Sequence, residues 1–195
     1  FGRFLADAKW EDDFAKLPTD WGNERKMLHL MKDAMRTYKV ATYVPDFSIM
    51  VPKKERVKMR LILGTHSPKG LEVFRDVQEK VEKQEMEMRH NLREGDSPQV
   101  SLFSSEDVAA FQQEQKGVGC KSNRAHAEAV IVEFLKGRAH AFPGPMINIV
   151  METVPIRRTQ LNKLLIEMRE RKVISFELPA RKRVPQIDTQ IALVE

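Results

Sequence analysis

The feature of this sequence that most constrains its fold is the order of apolar patterns from residue 125 onward. Three stripes with helical spacing come first, and residues 161–168 hold the best formed of them, with apolar side chains at i, i+3, i+4 and i+7. Residues 174–178 and 187–193 then alternate apolar and other side chains around a basic loop. Three helices followed by a β-hairpin is the order of a winged helix. We therefore predict a winged-helix domain over residues 125–195.

The first ninety residues show a different succession of patterns. Helical stripes in residues 9–20 and 23–38 precede two alternating segments, residues 47–51 and 57–63, which predict a β-hairpin. A further helical stripe begins at Leu71. Residues 1–90 are thus predicted to pack helices on a β-hairpin in a mixed α/β or α+β unit. Residues 91–124, which hold turn signals and a capped helical turn from Ser104, are predicted to be a connector.

Composition excludes some classes of protein. No apolar run approaches the roughly 20 residues that a membrane helix needs, so we expect no membrane partner. The single cysteine, Cys120, and ten methionines favour a cytoplasmic location, and the net charge of +5 is only mildly basic. Because the chain opens with Phe1 and shows no signal pattern, we expect it to be the C-terminal part of a longer protein.

A family resemblance rests on residues 60–71, Arg-Leu-Ile-Leu-Gly-Thr-His-Ser-Pro-Lys-Gly-Leu, placed after a helix and hairpin and before the predicted winged helix. This arrangement resembles the three-Cys-motif partner family. The resemblance implies a class I methyltransferase-like α/β domain with a C-terminal winged helix, acting beside a radical-SAM-like protein that carries the three cysteines. On that basis residues 1–90 are the last part of the Rossmann-like domain.

The resemblance also implies a cofactor, S-adenosylmethionine, for the full-length protein. A methyltransferase-like domain binds it with a glycine-rich turn after its first strand and an acidic residue after its second. This sequence shows neither pattern, so we expect no cofactor and no catalytic residues on this chain. Methyl transfer remains an alternative function for the full-length protein.

A basic segment around the third predicted helix is the main functional candidate. Residues 157–183 hold nine basic side chains and three acidic ones. In a winged helix the third helix can enter a major groove while the wing loop reaches the backbone or the minor groove. The predicted nucleic-acid-binding residues are Arg157, Arg158, Thr159, Gln160, Asn162, Lys163, Arg181, Lys182 and Arg183.

Two other interpretations of this segment stay open. The helix face opposite the leucines includes Ile166 and Glu170, and a carboxylate there would point at phosphates. Winged helices also serve as protein-docking modules, here for the radical-SAM-like partner, and the arginines could equally form a solvated surface.

A weaker candidate is the turn before the helix at Leu71. Main-chain N–H groups at a helix start can hold an anion, and Thr65, His66, Lys69 and Gly70 are the residues of this predicted site. The alternative, which the sequence favours, is that the turn needs its proline and glycine for conformation alone. The five histidines are scattered, so the sequence predicts no metal site.

Overall fold

The computed structural model describes residues 9–51, 56–95, 104–178 and 181–194. The helices are α1 (Trp10–Lys16), α2 (Asn23–Thr37), α3 (Pro68–Gly95), α4 (Ser105–Lys116), α5 (Lys121–Leu135), α6 (Pro143–Thr153) and α7 (Arg158–Glu170), and the strands are β1 (Asp46–Met50), β2 (Val57–Ile62), β3 (Ile174–Ser175) and β4 (Ala192–Leu193). These helices and two small antiparallel hairpins fit the predicted mixed class of α/β or α+β. None of the helices in these ranges is long and apolar enough to cross a membrane.

The hairpin of β1 and β2 lies between α2 and α3. Its register pairs Phe47 with Leu61. On one face the Asp46 carboxylate accepts a hydrogen bond from Lys32 of α2. On the other face the ring of Phe47 lies 5.3 Å, centroid to centroid, from the ring of Phe74 in α3. Both strands form where the apolar alternation predicted them, and the predicted turn at residues 53–55 lies outside the described ranges.

Residues 91–124, the predicted connector, contain the end of α3 and the whole of α4. The Ser104 hydroxyl accepts the Asp107 N–H at 3.1 Å, which is the predicted helix cap. Helix α4 packs along α3, and the loop that follows it returns to α3, where the Val118 N–H donates to the Glu82 carboxylate at 2.9 Å. The described part of this segment is therefore largely helical and rests against α3.

Helices α5, α6 and α7 enclose the main core. Side chains at or below 3% exposure are Ala127, Ile131 and Leu135 on α5, Met146, Ile147, Val150 and Met151 on α6, and Leu161, Leu164, Leu165 and Met168 on α7. The stripe predicted for residues 161–168, which lies on α7, is thus buried in full. The second of the three predicted stripes, which consists of Met146, Ile149 and Val150 on α6, is less complete, because Ile149 is 38% exposed.

The second hairpin is shorter than the alternation predicted. Only Ile174 with Leu193 and Ser175 with Ala192 pair as β3 and β4. On the other side of β4, Ala141 and Ile191 exchange main-chain hydrogen bonds of 2.8 and 2.9 Å. The extended segment before α6 therefore lies beside β4, with β3 on the far side.

The expectation that Ile187 begins the last strand is wrong. Its side chain is 86% exposed, in a turn from Gln186 to Thr189. The Thr189 hydroxyl accepts the Gln186 N–H at 2.8 Å, and the Thr189 N–H donates to the Gln186 carbonyl at 3.1 Å. These local bonds satisfy main-chain groups of Gln186 and Thr189 that a strand would pair with a neighbouring strand. The segment around Ile187 is therefore a turn, although its apolar residues alternate.

The two predicted units share one core. Leu71 of α3 is fully buried in the same cluster as the inward side chains of α5, α6 and α7. Asn148 of α6 donates to the Tyr43 hydroxyl at 3.1 Å, and the Val44 N–H donates to the Glu152 carboxylate at 2.7 Å. Residues on both sides of the predicted boundary therefore hold each other in place.

Candidate nucleic-acid interface

The start of α7 is fixed by Gln160, one of the predicted nucleic-acid-binding residues. Its Oε1 accepts the Arg157 N–H at 2.9 Å, and its Nε2 donates to the Val118 carbonyl at 3.3 Å. Gly119, with a φ of +73°, lies against the same amide and donates its N–H to the Pro155 carbonyl at 2.8 Å. Gln160 thus ties α7 to the loop before α5, and both ends of its amide are already used.

Arg157 and Arg158, at the same end of α7, face a row of carboxylates on α3. Arg157 pairs with Glu79, and its Nε lies 3.8 Å from Asp76. The Arg158 guanidinium lies 3.8 Å from Glu72. The three acids stand at i, i+4 and i+7, so they share one helix face. The two arginines are therefore neutralised within the chain, where the sequence predicted contacts to phosphate.

Three other predicted residues of α7 differ in their surroundings. Thr159 is exposed, and its hydroxyl accepts a hydrogen bond from Arg157 at 3.4 Å. Asn162 is half-buried, and within the described ranges its buried Oδ1 has no hydrogen-bond partner. Lys163 is exposed. Only Lys163 of this group presents a charge to solvent.

The last turn of α7 carries a further set of basic residues, part of which is bonded to α5. Arg171 donates to Glu128 at 2.6 Å, and this hydrogen bond raises the pKa of Arg171 above its usual range. Arg169 lies over the ring of Phe176 at 5.2 Å. Lys172 is exposed and has a φ of +59°, which directs the chain out of the helix into β3. Among the described residues, no carboxylate lies within 4.0 Å of the charged groups of Arg169 or Lys172.

The loop between β3 and β4 presents the remaining three predicted residues. Arg181, Lys182 and Arg183 are exposed, and no carboxylate of the described chain pairs with them. Arg181 has a φ of +65°, so the main chain bends here. After the loop, Pro185 and Thr189 are buried, and they anchor it to the body of the domain. Residues 179–180 of the predicted loop lie outside the described ranges.

The turn at residues 65–70, predicted as a weak anion site, is closed by its own hydrogen bonds. The Thr65 hydroxyl accepts the Ser67 N–H at 3.0 Å, and the Ser67 hydroxyl accepts the Lys69 N–H at 3.2 Å. The Gly70 N–H donates to the Ser67 carbonyl at 2.9 Å. A Cβ at Gly70 would lie 2.5 Å from Thr65 Oγ1, so the turn needs glycine for close packing. The N–H groups of Ser67, Lys69 and Gly70 thus already have acceptors within the turn.

The two charged residues of this turn also have partners in the chain. His66 Nδ1 lies 2.9 Å from the Thr42 hydroxyl. Lys69 donates to Glu72 at 2.6 Å, and this bond raises the pKa of Lys69. Within the described ranges there is no group of three or more histidine, cysteine or acidic side chains that could hold a metal ion.

A cleft of about 440 Å³ joins the two predicted sites. It lies between the N-terminal part of α3 and the start of α7, and its lining consists of Lys69, Glu72, Asp76, Lys80, Arg157, Arg158 and Thr159. Sequence reasoning named Lys69, Arg157 and Arg158 here but missed Lys80 and the acidic row on α3. The spacing of Glu72, Asp76 and Glu79 was visible in the sequence, whereas its position against α7 depends on the fold.

Comparisons with protein-family models, with curated proteins and with solved structures found no match for this chain.

Proposed function

We propose that residues 125–195 form a winged helix that binds nucleic acid through the loop of Arg181, Lys182 and Arg183, rather than through the start of α7. The order of α5, α6, α7 and the β3–β4 hairpin supports the winged-helix assignment. The pairing of Ala141 with Ile191 supports it further, because it adds a third extended segment beside the hairpin.

The observation that carries the proposal is that some basic residues of the segment 157–183 are paired with carboxylates of the chain, whereas others are not. Arg157, Arg158 and Arg171 each face a carboxylate of α3 or α5. Among the nine basic residues of 157–183, those that no described carboxylate pairs are Lys163, Arg169, Lys172, Arg181, Lys182 and Arg183. Phosphates bind cations whose charge is still available, since binding is driven by release of counterions.

The loop suits phosphate contact for two physical reasons. Its three cations are consecutive, so no acidic side chain lies between them in the sequence. Arginine donates two parallel hydrogen bonds to a phosphate, and two of the three residues are arginines. A wing with this composition positions the domain on the backbone and carries little base specificity.

The test is a titration of the chain against a labelled random-sequence duplex at roughly 50 and 200 mM salt. We expect affinity to fall steeply with salt. Replacing Arg181, Lys182 and Arg183 with alanine should reduce the slope of log K against log salt by up to about 2.7, at about 0.9 for each phosphate contact.

A matched control removes the same charge elsewhere, with Arg25, Arg56 and Lys121 replaced by alanine, since these side chains are exposed on other parts of the chain. The control should change the slope by less than about 1. Unchanged binding and slope in the loop variant would remove the loop from the interface. A wild-type chain that does not bind the duplex at the lower salt would reject nucleic-acid binding altogether.

Docking of a protein is a second candidate, favoured by exposed apolar side chains on the same domain. Phe142 and Ile149 of the α6 region are 46% and 38% exposed, and Ile187 is 86% exposed. The radical-SAM-like protein implied by the family resemblance is the partner to test. Co-purification that survives high salt would support this candidate, because salt screens apolar contacts little.

A further inference from the structure

A cleft of about 690 Å³ opens in the β3–β4 hairpin, beside the basic loop. The two strands pair no further toward the loop than Ser175 with Ala192. In this register the next outward-facing pair would be Glu177 with Gln190, but within the described ranges no main-chain hydrogen bond joins these two residues. The chain therefore separates between the last pair and the loop, and the cleft lies in this separation.

Three polar side chains of the cleft are open to solvent. Ile174 and Phe176 of the β3 segment are buried, and because side chains alternate along a strand, Glu177 points to the opposite, outer face. Gln190 and His140 line the same cleft, and all three of these polar side chains are exposed. A carboxylate, an amide and an aromatic ring therefore surround one space that a ligand can enter from solvent.

The charges of the lining indicate what the cleft can hold. Glu177 and Asp188 are carboxylates, and no lysine or arginine of the described chain lines the cleft or pairs with either of them. A phosphate is therefore repelled from the cleft itself. The cations of residues 181–183 lie near its mouth, since Arg181 is three positions beyond Leu178 of the lining and three residues span at most about 11 Å. A ligand with a phosphate at one end and a hydrogen-bond donor at the other fits this arrangement.

A nucleotide with an unpaired cytosine has these two parts. Its N4 amino group donates hydrogen bonds, and glutamate and aspartate are the side chains that accept them. A glutamine amide such as that of Gln190 can donate to N3 on the same edge of the base. Thymine presents a carbonyl oxygen in place of the amino group, so the carboxylate of Glu177 disfavours it.

The ring of His140 adds a surface on which a base can stack. It lies edge-on to the ring of Phe142, with the centroids 6.1 Å apart, so its own face is not covered by that neighbour. Bases outside a duplex stack on aromatic side chains, histidine included, and are read on their Watson–Crick edges. Stacking and edge contacts are thus both possible in one cleft.

We propose that this cleft binds an unpaired cytosine while the loop at residues 181–183 holds the neighbouring phosphates. Glu177 accepts from N4, Gln190 donates to N3, and His140 stacks on the base. The inference rests on the proposed nucleic-acid binding and defines its substrate as a strand that presents cytosine outside a duplex. A fully paired duplex contacts the loop alone, because the Watson–Crick edges of its bases are occupied.

The test compares the affinity of the full chain for two labelled single strands of equal length, oligodeoxycytidylate and oligodeoxythymidylate. Fluorescence anisotropy is measured at a slightly alkaline pH, where cytosine is neutral. Both strands carry the same number of phosphates, so the phosphate contribution cancels in the ratio of affinities. We expect the cytosine strand to bind at least about fivefold more tightly, which is the lower limit of discrimination by a good pair of hydrogen bonds to a base.

Two substitutions that remove the same charge locate the base. Glu177→Gln should bring the two affinities to within about twofold of each other, because an amide can donate to thymine as well as accept from cytosine. Glu170→Gln, at an exposed carboxylate of α7 outside the lining, is the matched control and should leave the ratio unchanged. The alanine variant of residues 181–183 should weaken the binding of both strands alike and also leave the ratio unchanged.

Equal affinity of the wild type for the two strands, with a steep salt dependence retained, would overturn the cytosine site and leave the proposal for the loop standing. A cytosine preference that Glu177→Gln does not change would also overturn it, because the base would then bind elsewhere. Binding of neither strand, together with no binding of the duplex, would reject both proposals.

Discussion

Arg75 of α3 donates a hydrogen bond from Nε to the main-chain carbonyl of Met151 in α6 at 2.7 Å. Its Nη2 donates to the Glu152 carbonyl at 2.9 Å, so the guanidinium caps the last turn of α6, where carbonyls lack helical partners. The side chain is 1% exposed, and burial lowers the pKa of Arg75 to about 10. This contact fixes α3 to α6, and it therefore also fixes the acidic row of α3 against the start of α7.

Replacing Arg75 with methionine should lower the free energy of unfolding by about 2–4 kcal/mol, because it leaves several buried carbonyls without donors. Urea denaturation measures this loss. Arg56→Met, at an exposed arginine, is the control and should change the free energy of unfolding by about 0.5 kcal/mol or less. A loss below about 1 kcal/mol for the Arg75 variant would show that water replaces the cap.

Two glycines allow the packing at Gln160 to be measured separately from backbone strain. Gly119 and Gly137 have similar φ values of +73° and +69°, but only Gly119 lies against a neighbouring side chain, the Gln160 amide. Gly137→Ala should cost about 1–2 kcal/mol from the left-handed backbone alone. Gly119→Ala should cost at least about 1 kcal/mol more, since a Cβ would overlap the amide. Equal losses in urea denaturation would mean that Gln160 moves aside freely.

The Asp46 carboxylate predicts a dependence of stability on pH. Burial alone would raise the pKa of Asp46, but hydrogen bonds from Lys32 and Arg60 outweigh it and lower that pKa below 3.8. An acid with a lower pKa in the folded state stabilises the fold above its unfolded pKa, and this contribution is lost as pH falls through the folded pKa. Asp46→Asn should thus cost about 1–3 kcal/mol at neutral pH.

The difference in unfolding free energy between the wild type and Asp46→Asn should shrink below pH 3.8. Denaturation curves from pH 7 to pH 3 test this. Asp33→Asn, at an exposed aspartate, is the control and should show a smaller difference at neutral pH. A difference that grows as the pH falls would contradict the ion-pair explanation.

The acidic row of α3 predicts a gain of nucleic-acid contact when it is neutralised. With Glu72→Gln, Asp76→Asn and Glu79→Gln combined, Arg157, Arg158 and Lys69 lose their partners and become available to phosphate. The slope of log K against log salt should steepen by up to about 2.7, at about 0.9 for each new contact. Neutralising Glu11, Asp12 and Glu114, which are exposed elsewhere, makes the same change in net charge. An equal effect from both sets would show that net charge alone matters.

Much of the fold could be predicted because burial leaves a local periodic pattern. The stripe of Leu161, Leu164, Leu165 and Met168 predicted α7, and all four side chains are buried. The alternation around Phe47 and in residues 57–63 predicted the first hairpin in the same way. Ile187 shows the limit of this reasoning, because an apolar residue in a turn continues the alternation without any strand to support it.

The candidate site was less predictable, since a basic residue has the same appearance in the sequence whether or not it is paired. Arg157 and Arg181 were both predicted to contact nucleic acid, yet Arg157 bonds to Glu79, an acid 78 positions away. Gln160 was predicted to contact nucleic acid, and its amide instead bonds to Val118 and to the start of its own helix. Pairs at such separations leave no local pattern.

By itself the sequence determined the helices around its apolar stripes and the first hairpin, because apolar spacing, prolines and caps act within a few residues. Only the tertiary structure decided which of the charges remain available. Burying Leu71 with the core of α5, α6 and α7 and capping α6 with Arg75 brings the acidic face of α3 onto Arg157 and Arg158. The physical reason is that ion pairing depends on distance through space, whereas periodicity records only distance along the chain.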